Sequence, residues 1–422
     1  MVKLAYARDF SCCDASLPTF GRGLIGVPHA RFGDGRAGLE QGGTAGRRDR
    51  QAGEPLHKPC MPVDLQQLAG TGRGHAGFEQ WDILVLTESP VRVIVIGTSA
   101  GGVQALKILL GALPIDLDAV LLAVLHLAPS SPGLLPTLFC KPGQLRCVHP
   151  SQGESLQQGR FYLAPPDRHM LIEARGTIRL SRGPKENRAR PAIDALFRSA
   201  ALAFGLDVIG VILTGSLDDG TAGLLAVKRS GGTTVIQDPA DALAPSMPSS
   251  AAKHVDIDHK VSLSKLGPLL VRLSKESPRA EQRVMHETLK IEAEIAASKT
   301  GMLGGIAKIG EPSLFTCPDC HGTLLKIKDE QLLRFRCHTG HAFGAQSMLA
   351  TLNETTEDTI WSAVRALQEG AMLLEHLAQH ARDAGQVNEA NSLDREAQDK
   401  LERAELVRKT LTRADRDGVS AS

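Results

Sequence analysis

Between positions 91 and 275 the chain alternates two kinds of apolar pattern. The runs VRVIVI (91–96), AVLLAVL (119–125), FYLA (161–164), VIGVIL (208–213) and TTVI (233–236) are continuous and rich in β-branched residues. Such runs read as strands buried on both faces, without the polar alternation of a sheet that faces water. Between them, VQALKILLGAL after Gly102, AIDALFRSAALAFG (192–205) and SLSKLGPLLVRLS (262–274) place apolar residues at helical spacing. Strands alternating with helices predict βαβ units and an α/β fold with a doubly wound, mostly parallel sheet. Chemistry in such sheets sits at the carboxyl ends of the strands.

The remaining segments differ. Residues 1–90 are rich in Gly, Arg and polar residues and show little periodicity, which predicts disorder, or a start placed too far upstream, with Met61 a later start. Residues 276–312 read as a polar, partly helical linker, and residues 313–344 hold a cysteine cluster. Residues 345–415 read as a helical hairpin or short coiled coil. One apolar face runs through Ile360, Val364, Leu367, Ala371, Leu374, Leu377 and Ala381. The other runs through Leu393, Ala397, Leu401, Ala404, Val407 and Leu411, with a turn at 383–386.

Composition narrows the classes. The 422 residues carry a formal net charge of +1 and a 42% hydrophobic share, which gives no global nucleic-acid signal and suits a globular protein. No apolar run approaches a membrane span, and the start lacks the pattern of a signal peptide, so a cytoplasmic location is expected. Of the 8 cysteines, three cluster late in the chain and the others read as reduced thiols.

The strand ends carry the candidate chemistry. VIVIGTSAGG (93–102) runs from a strand into a helix, and Gly97–Gly101 fits the G-x-S-x-G nucleophile elbow around Ser99. A glycine loop that binds phosphate or a dinucleotide is the competing reading. The strand 119–125 ends at His126, and 208–213 leads to Asp218-Asp219-Gly220. A serine nucleophile needs a base, and the base needs an orienting acid. The order is Ser…His…Asp; under the α/β-hydrolase order the base would come last, from His254 or His259. The bland alternative for Asp218 and Asp219 is a turn in which one of them caps a helix.

IGTSAGG, LHLAPSSPG, FYLAPPDRHM (161–170), NRARPAIDALFRS (187–199), GVILTGSLDDGTAGL (210–224) and the QDP and SMP elements around Asp238 and Met247 resemble, in that order, the catalytic domain of the chemotaxis receptor methylesterases, the CheB family. The resemblance covers roughly residues 91–275. It implies a catalytic Ser99, a base at His126 and an orienting Asp219. It also implies hydrolysis of glutamate γ-methyl esters on methyl-accepting chemoreceptors, with deamidation of receptor glutamines. Oxyanion donors are expected among backbone N–H groups near Ser99 or in the 215–217 turn. Two departures stand out: Ala100 replaces a hydroxyl residue, and Ser216-Leu217 replaces the family's usual Met-Gly. The 1–90 segment is also too short and aperiodic for the receiver domain that family members usually carry.

FTCPDCHG (315–322) and FRCHTGH (335–341) flank a probable hairpin and resemble a zinc ribbon. Cys317, Cys320, Cys337 and His341 are the expected ligands of a structural zinc, with His338 and His321 as competing nitrogens. No cofactor is expected for catalysis. The ribbon and hairpin read as a protein-docking module, and the helices are candidates for self-association. Neither nucleic acid nor membrane insertion is expected. Three functional readings follow: an active receptor methylesterase, a non-catalytic signalling adaptor that keeps the fold and docks partners through the zinc and helical modules, or a different α/β hydrolase using His254 or His259.

Overall fold

The chain divides into two units, Met1–Ile83 and Leu84–Ser422. A computed structural model describes residues 92–139, 145–277, 287–299 and 302–418, all in the second unit. The expectations for residues 1–90 lie outside the described residues.

Seven strands form the central sheet: β1 (Arg92–Thr98), β2 (Ala119–Leu125), β3 (Arg146–Val148), β4 (Arg160–Leu163), and, after the antiparallel hairpin of β5 (His169–Glu173) and β6 (Thr177–Ser181), β7 (Val208–Ile212), β8 (Thr233–Gln237) and β9 (His259–Val261). The order is β3-β4-β2-β1-β7-β8-β9, and every neighbouring pair is parallel. The sheet is doubly wound, as the alternating pattern requires. The strands that sequence periodicity does not mark, β3 and β9, are three-residue edge strands with exposed Arg146 and Lys260. Short polar edges suit a sheet rim and carry no apolar run.

The helices are α1 (Gly102–Gly111), α2 (Leu135–Phe139), α3 (Ile193–Phe204), α4 (Thr221–Arg229), α5 (Ser246–His254) and α6 (Leu263–Lys275). Successive residues of β1 point to opposite faces. Val93 and Val95 join a core with Leu196, Phe197, Leu224 and Met247 from α3, α4 and α5. Ile94 and Ile96 join another with Leu106, Leu109, Leu266 and Leu270 from α1 and α6. The connections diverge between β1, which leads outward to β2, and β7, which leads the other way to β8. That switch point is where an open α/β sheet leaves a crevice.

Two further helices, α7 (Glu287–Ala296) and α8 (Met302–Ile309), lead into an antiparallel sheet of β10 (Gly310–Thr316), β11 (Thr323–Ile327), β12 (Arg334–Cys337) and β13 (Ala342–Gly344). The hairpin follows as α9 (Ala345–Asp383) and α10 (Val387–Gly418), with Gly385 left-handed (φ 76°) in the turn between them. Its seam follows the expected faces at Val364, Ala371, Ala381, Ala397 and Ala404 and adds Ala378 and Ala390. Val364, Ala371, Ala378 and Ala381 meet Ala390, Ala397 and Ala404, whereas Leu377 and Leu401 are exposed. Alanines at heptad spacing let two helices approach closely, with Leu367, Leu374, Leu393 and Val407 half-buried beside them.

Candidate active site

Ser99 is half-buried and directly follows β1. It does not take the left-handed conformation of a strained elbow; Gly101 does, at φ 78°. The loop is held from β7's side by Thr214. Its carbonyl accepts Ser99 N–H at 3.1 Å and Thr98 Oγ1–H at 2.8 Å, and its hydroxyl donates to Ala100 O at 2.9 Å. A Cβ at Gly215 would lie 2.5 Å from Met247 Cε and 3.1 Å from Ser99 Cβ. A side chain at Gly215 would displace Met247 and crowd the serine.

His126 stands one strand over. Thr98 pairs with Leu125 across β1 and β2, and His126 N–H donates to Thr98 O at 3.2 Å. The two side chains therefore leave adjacent parallel strands at the same level. His126 Nε2 meets Asp219 Oδ2 at 2.7 Å, which leaves Nδ1 as the nitrogen free to serve the serine. No hydrogen bond joins Ser99 Oγ to His126 among the described residues, and such contacts commonly tighten only when substrate is bound.

Asp219 is 2% exposed and sits at the N-terminus of α3. Its Oδ2 also accepts Ile193 N–H at 2.7 Å, and its Oδ1 accepts Asn187 Nδ2–H at 2.9 Å, Gly220 N–H at 3.0 Å and Asp194 N–H at 3.2 Å. Burial pushes the carboxyl up, but the His126, Asn187 and Ile193 contacts outweigh it and hold Asp219 below the usual carboxylate range. The neighbouring Asp194 goes the other way. Burial, reinforced by the charge of Asp219, pushes it up to about 7. Two buried carboxylates thus sit side by side with opposite shifts, the arrangement expected where one must stay ionised.

His254 and His259, the alternative bases, do not reach this carboxylate. His254 Nδ1 engages Ser250 O within α5, and His259 opens the edge strand β9. Asp218 turns away from Asp219. It caps a helix, but not the one that follows it: Oδ2 accepts Gln346 N–H at 3.1 Å, and Oδ1 accepts Ser347 N–H at 3.2 Å and the Ser347 hydroxyl, all at the start of α9. In the 215–217 turn, Gly215 N–H donates to Ala244 O and Leu217 N–H to Ser246 Oγ, each at 2.9 Å. Ala100 and Ser216 N–H have no such partner among the described residues. Leu217, which takes the place of the family's glycine, is left-handed at φ 65°.

The cysteine cluster forms a second centre. One ligand atom from each of Cys317, Cys320, Cys337 and His341 lies within 4.8 Å of all the others. Cys320 and Cys337 Sγ are 3.6 Å apart, and His341 Nδ1 is 3.7 Å from Cys317 Sγ and 3.6 Å from Cys337 Sγ. A tetrahedron with Zn–S bonds of about 2.3 Å has edges of about 3.7 Å, so the donors fit a zinc ion. His321 and His338 fall outside the group.

Fold and site define a class, an α/β protein whose parallel strand ends bring a serine, a histidine and a buried aspartate together as serine hydrolases do. The CheB methylesterase family model matches residues 94–270. A Leptospira interrogans protein named "Putative protein-glutamate methylesterase/protein-glutamine glutaminase" is 38% identical over 190 residues, which cover 45% of this chain and 97% of that protein. "Protein-glutamate methylesterase/protein-glutamine glutaminase 2" of Xanthomonas oryzae is 35% identical over 228 residues, 53% of this chain and 61% of that one. The crystal structure of the Thermotoga maritima CheB methylesterase catalytic domain aligns with 43% of this chain and 98% of its own, at 31% identity and a TM-score of 0.42. The chain belongs to the CheB methylesterase family.

Sequence reasoning names Ser99, His126 and Asp219, of which the structure joins His126 to Asp219, but misses Thr214, Asn187 and the outward role of Asp218. Asn187 opens a motif that carries the resemblance, and asparagine before a helix start is a signal for side-chain bonding to backbone. No local pattern shows that its partners are residues 219 and 344. Among the described residues no helix is long and apolar enough to cross a membrane.

Proposed function

We propose that this protein is a serine hydrolase that removes γ-methyl esters from glutamate side chains of chemoreceptors and deamidates receptor glutamines by the same route. The observation that carries this reading is the His126–Asp219 hydrogen bond of 2.7 Å, made to a buried aspartate, one strand away from Ser99. Ser99 Oγ attacks the ester carbonyl while His126 Nδ1 takes its proton. Asp219 holds the ring and stabilises the imidazolium, aided by the N–H groups of α3 that keep it ionised. Ala100 and Ser216 N–H are the donors for the tetrahedral oxyanion, each worth about 3 kcal/mol. His126 returns the proton to the departing methanol, leaving an acyl-enzyme on Ser99. Water, deprotonated by His126, attacks the acyl carbon and frees the carboxylate and the serine. An amide substrate releases ammonia in place of methanol.

Backbone donors explain why Ala100 is tolerated where the family has a hydroxyl. The adaptor reading has less support, because the buried acid and its histidine are kept with a full set of hydrogen bonds.

The zinc reading rests on the donor geometry of Cys317, Cys320, Cys337 and His341. All four positions of the tetrahedron are protein ligands, which suits a structural ion. The two ligand turns are closed by His321 N–H to Cys317 O at 2.8 Å and Gly340 N–H to Cys337 O at 2.9 Å. Metal analysis of the purified protein is expected to find one zinc per chain, and Cys320→Ser to lose it.

The function is tested by methanol release from methylated chemoreceptor signalling domains. Wild type is expected to release methanol and Ser99→Ala to release none above background. No release by a folded wild type would favour the adaptor.

A further inference from the structure

The carboxyl-terminal module is packed onto the loop that carries Asp219, and two side chains make the joint. The first is Asn187. Its Nδ2 donates to Asp219 Oδ1 and to Asp194 Oδ2, each at 2.9 Å, and its Oδ1 accepts Gly344 N–H at 2.7 Å. Its backbone N–H donates to Ala342 O at 2.8 Å, and Ala342 N–H donates to Lys185 O at 3.2 Å, so Glu186 forms a parallel β-bridge with Ala342 of β13. Every hydrogen-bonding position of this amide but one lone pair is used. The network also fixes which end of the amide is which: two carboxylates face the nitrogen and one N–H faces the oxygen. The residue is 8% exposed and left-handed at φ 50°, a conformation asparagine accepts more readily than most residues.

The second is Asp218, adjacent in sequence to Asp219 and capping α9 as described above. The helix begins after Gly344, which has no side chain to cap it. A Cβ at Gly344 would collide with Asp218. Asp218 and Asp219 are therefore held in opposite directions, one by the module and one by α3 and His126.

A buried ionic layer surrounds the joint. Arg336 on β12, fully buried, donates to Glu186 Oε1 and Glu292 Oε1, each at 3.1 Å, and to Gly340 O at 2.8 Å in a ligand turn of the cysteine cluster. Glu186 also pairs with Arg198 of α3. These contacts run from the cluster to the residue before Asn187.

We propose that Asn187 is a positioning residue for the catalytic carboxylate and that the Gly344 amide of the carboxyl-terminal module holds it in place. The module is then part of the active-site scaffold, and anything that loosens it lowers turnover. Asn187 touches no substrate. It fixes the angle at which Asp219 meets His126, and such angles govern rates steeply, since a misplacement of about 1 Å costs about a hundredfold. The inference rests on the reading of Asp219 as the catalytic acid.

The test is steady-state methanol release by the full chain, with kcat and KM measured separately. Asn187→Ala is expected to lower kcat by about ten- to a hundredfold with KM within about twofold of wild type. Asn187→Asp keeps the shape but sets a third carboxylate against two others, and is expected to be slower still. Gly344→Ala, which acts from the module and pushes on Asp218, is expected to lower kcat by about three- to tenfold at unchanged KM, and it carries the test if the Asn187 variants do not fold. A kcat within twofold of wild type in Asn187→Asp, or in a folded Gly344→Ala, overturns the proposal. Ser99→Ala, assayed in parallel, separates the two levels: undiminished activity there overturns the reading of the site itself.

Discussion

The parallel sheet and the helical hairpin bury their apolar residues in opposite ways. In the sheet, large aliphatic side chains such as Ile94, Leu121, Leu122 and Ile96 are fully buried, layered against helices on both faces. In the hairpin the buried seam is alanine, and Trp361, Leu373, Leu377 and Leu406 face outward. The first plan fixes the strand ends, where a nucleophile and its base must keep their spacing. The second brings two long helices close but buries little apolar area per residue, so it resists separation less. A third kind of joint ties α3 and α7 to β12, held by the largely buried charges of Glu186, Arg198, Glu292, Arg334 and Arg336.

The largest expected stability effect lies in that joint. Arg336→Ala would leave Glu186 and Glu292 short of a partner and is expected to destabilise the protein by about 3–5 kcal/mol, read from denaturant unfolding. The joint also has a sign in pH. Burial pushes both glutamates up, but Arg198 and Arg336 beside Glu186, and Arg334, Arg198 and Arg336 beside Glu292, overcome it and hold both below the ordinary glutamate value of 4.5. A depressed folded-state value means the stabilisation is present above 4.5 and is lost as pH falls below it. Unfolding curves on a descending pH series are expected to show this loss, and Arg336→Ala to show less of it. An acid response as steep in the variant as in wild type would break the contrast between the charged joint and the two apolar plans.

A smaller effect sharpens the contrast from the hairpin's side. Ala371→Leu forces a large residue into a seam built for alanine and is expected to cost about 1–3 kcal/mol in thermal or denaturant unfolding, with methanol release unchanged. A stabilised variant would mean that the helices are not packed on their alanines.

The smallest effect is at the β7 turn. Leu217 holds a left-handed conformation at φ 65°, which costs a residue with a Cβ about 1–2 kcal/mol. Leu217→Gly is expected to recover about 1 kcal/mol in the same measurement. No gain would mean that packing of the leucine side chain offsets the strain.

How far the chain could be read in advance follows from the same physics. The apolar runs of β1, β2, β4, β7 and β8 are continuous, and continuity is itself the sign of a doubly covered strand. Ser99, His126 and Asp219 stand out as candidates because each lies within six residues after such a run. The turn after β1 is legible in its glycines, since the left-handed residue is Gly101. The hairpin faces are legible at Val364, Ala371, Ala381, Ala397 and Ala404, but periodicity alone does not show that the alanines pack while Leu377 and Leu401 stay exposed. Asp218 and Asn187 were hidden for another reason. Their partners in the carboxyl-terminal module, residues 346–347 and 344, lie more than a hundred positions away, and no local pattern records a contact of that range. The cysteine cluster was legible because ligand spacing is itself local, in C-x-x-C and C-x-x-x-H.

The central claim is that Ser99 is the nucleophile that His126 and Asp219 serve. The most direct measurement is to treat the folded chain with a serine-directed fluorophosphonate, digest it and locate the adduct by mass spectrometry. The account predicts one adduct, on Ser99, formed at least about a hundredfold more slowly in His126→Ala. Labelling of another serine with matching loss of activity, or equal labelling of Ser99 in His126→Ala, would contradict it.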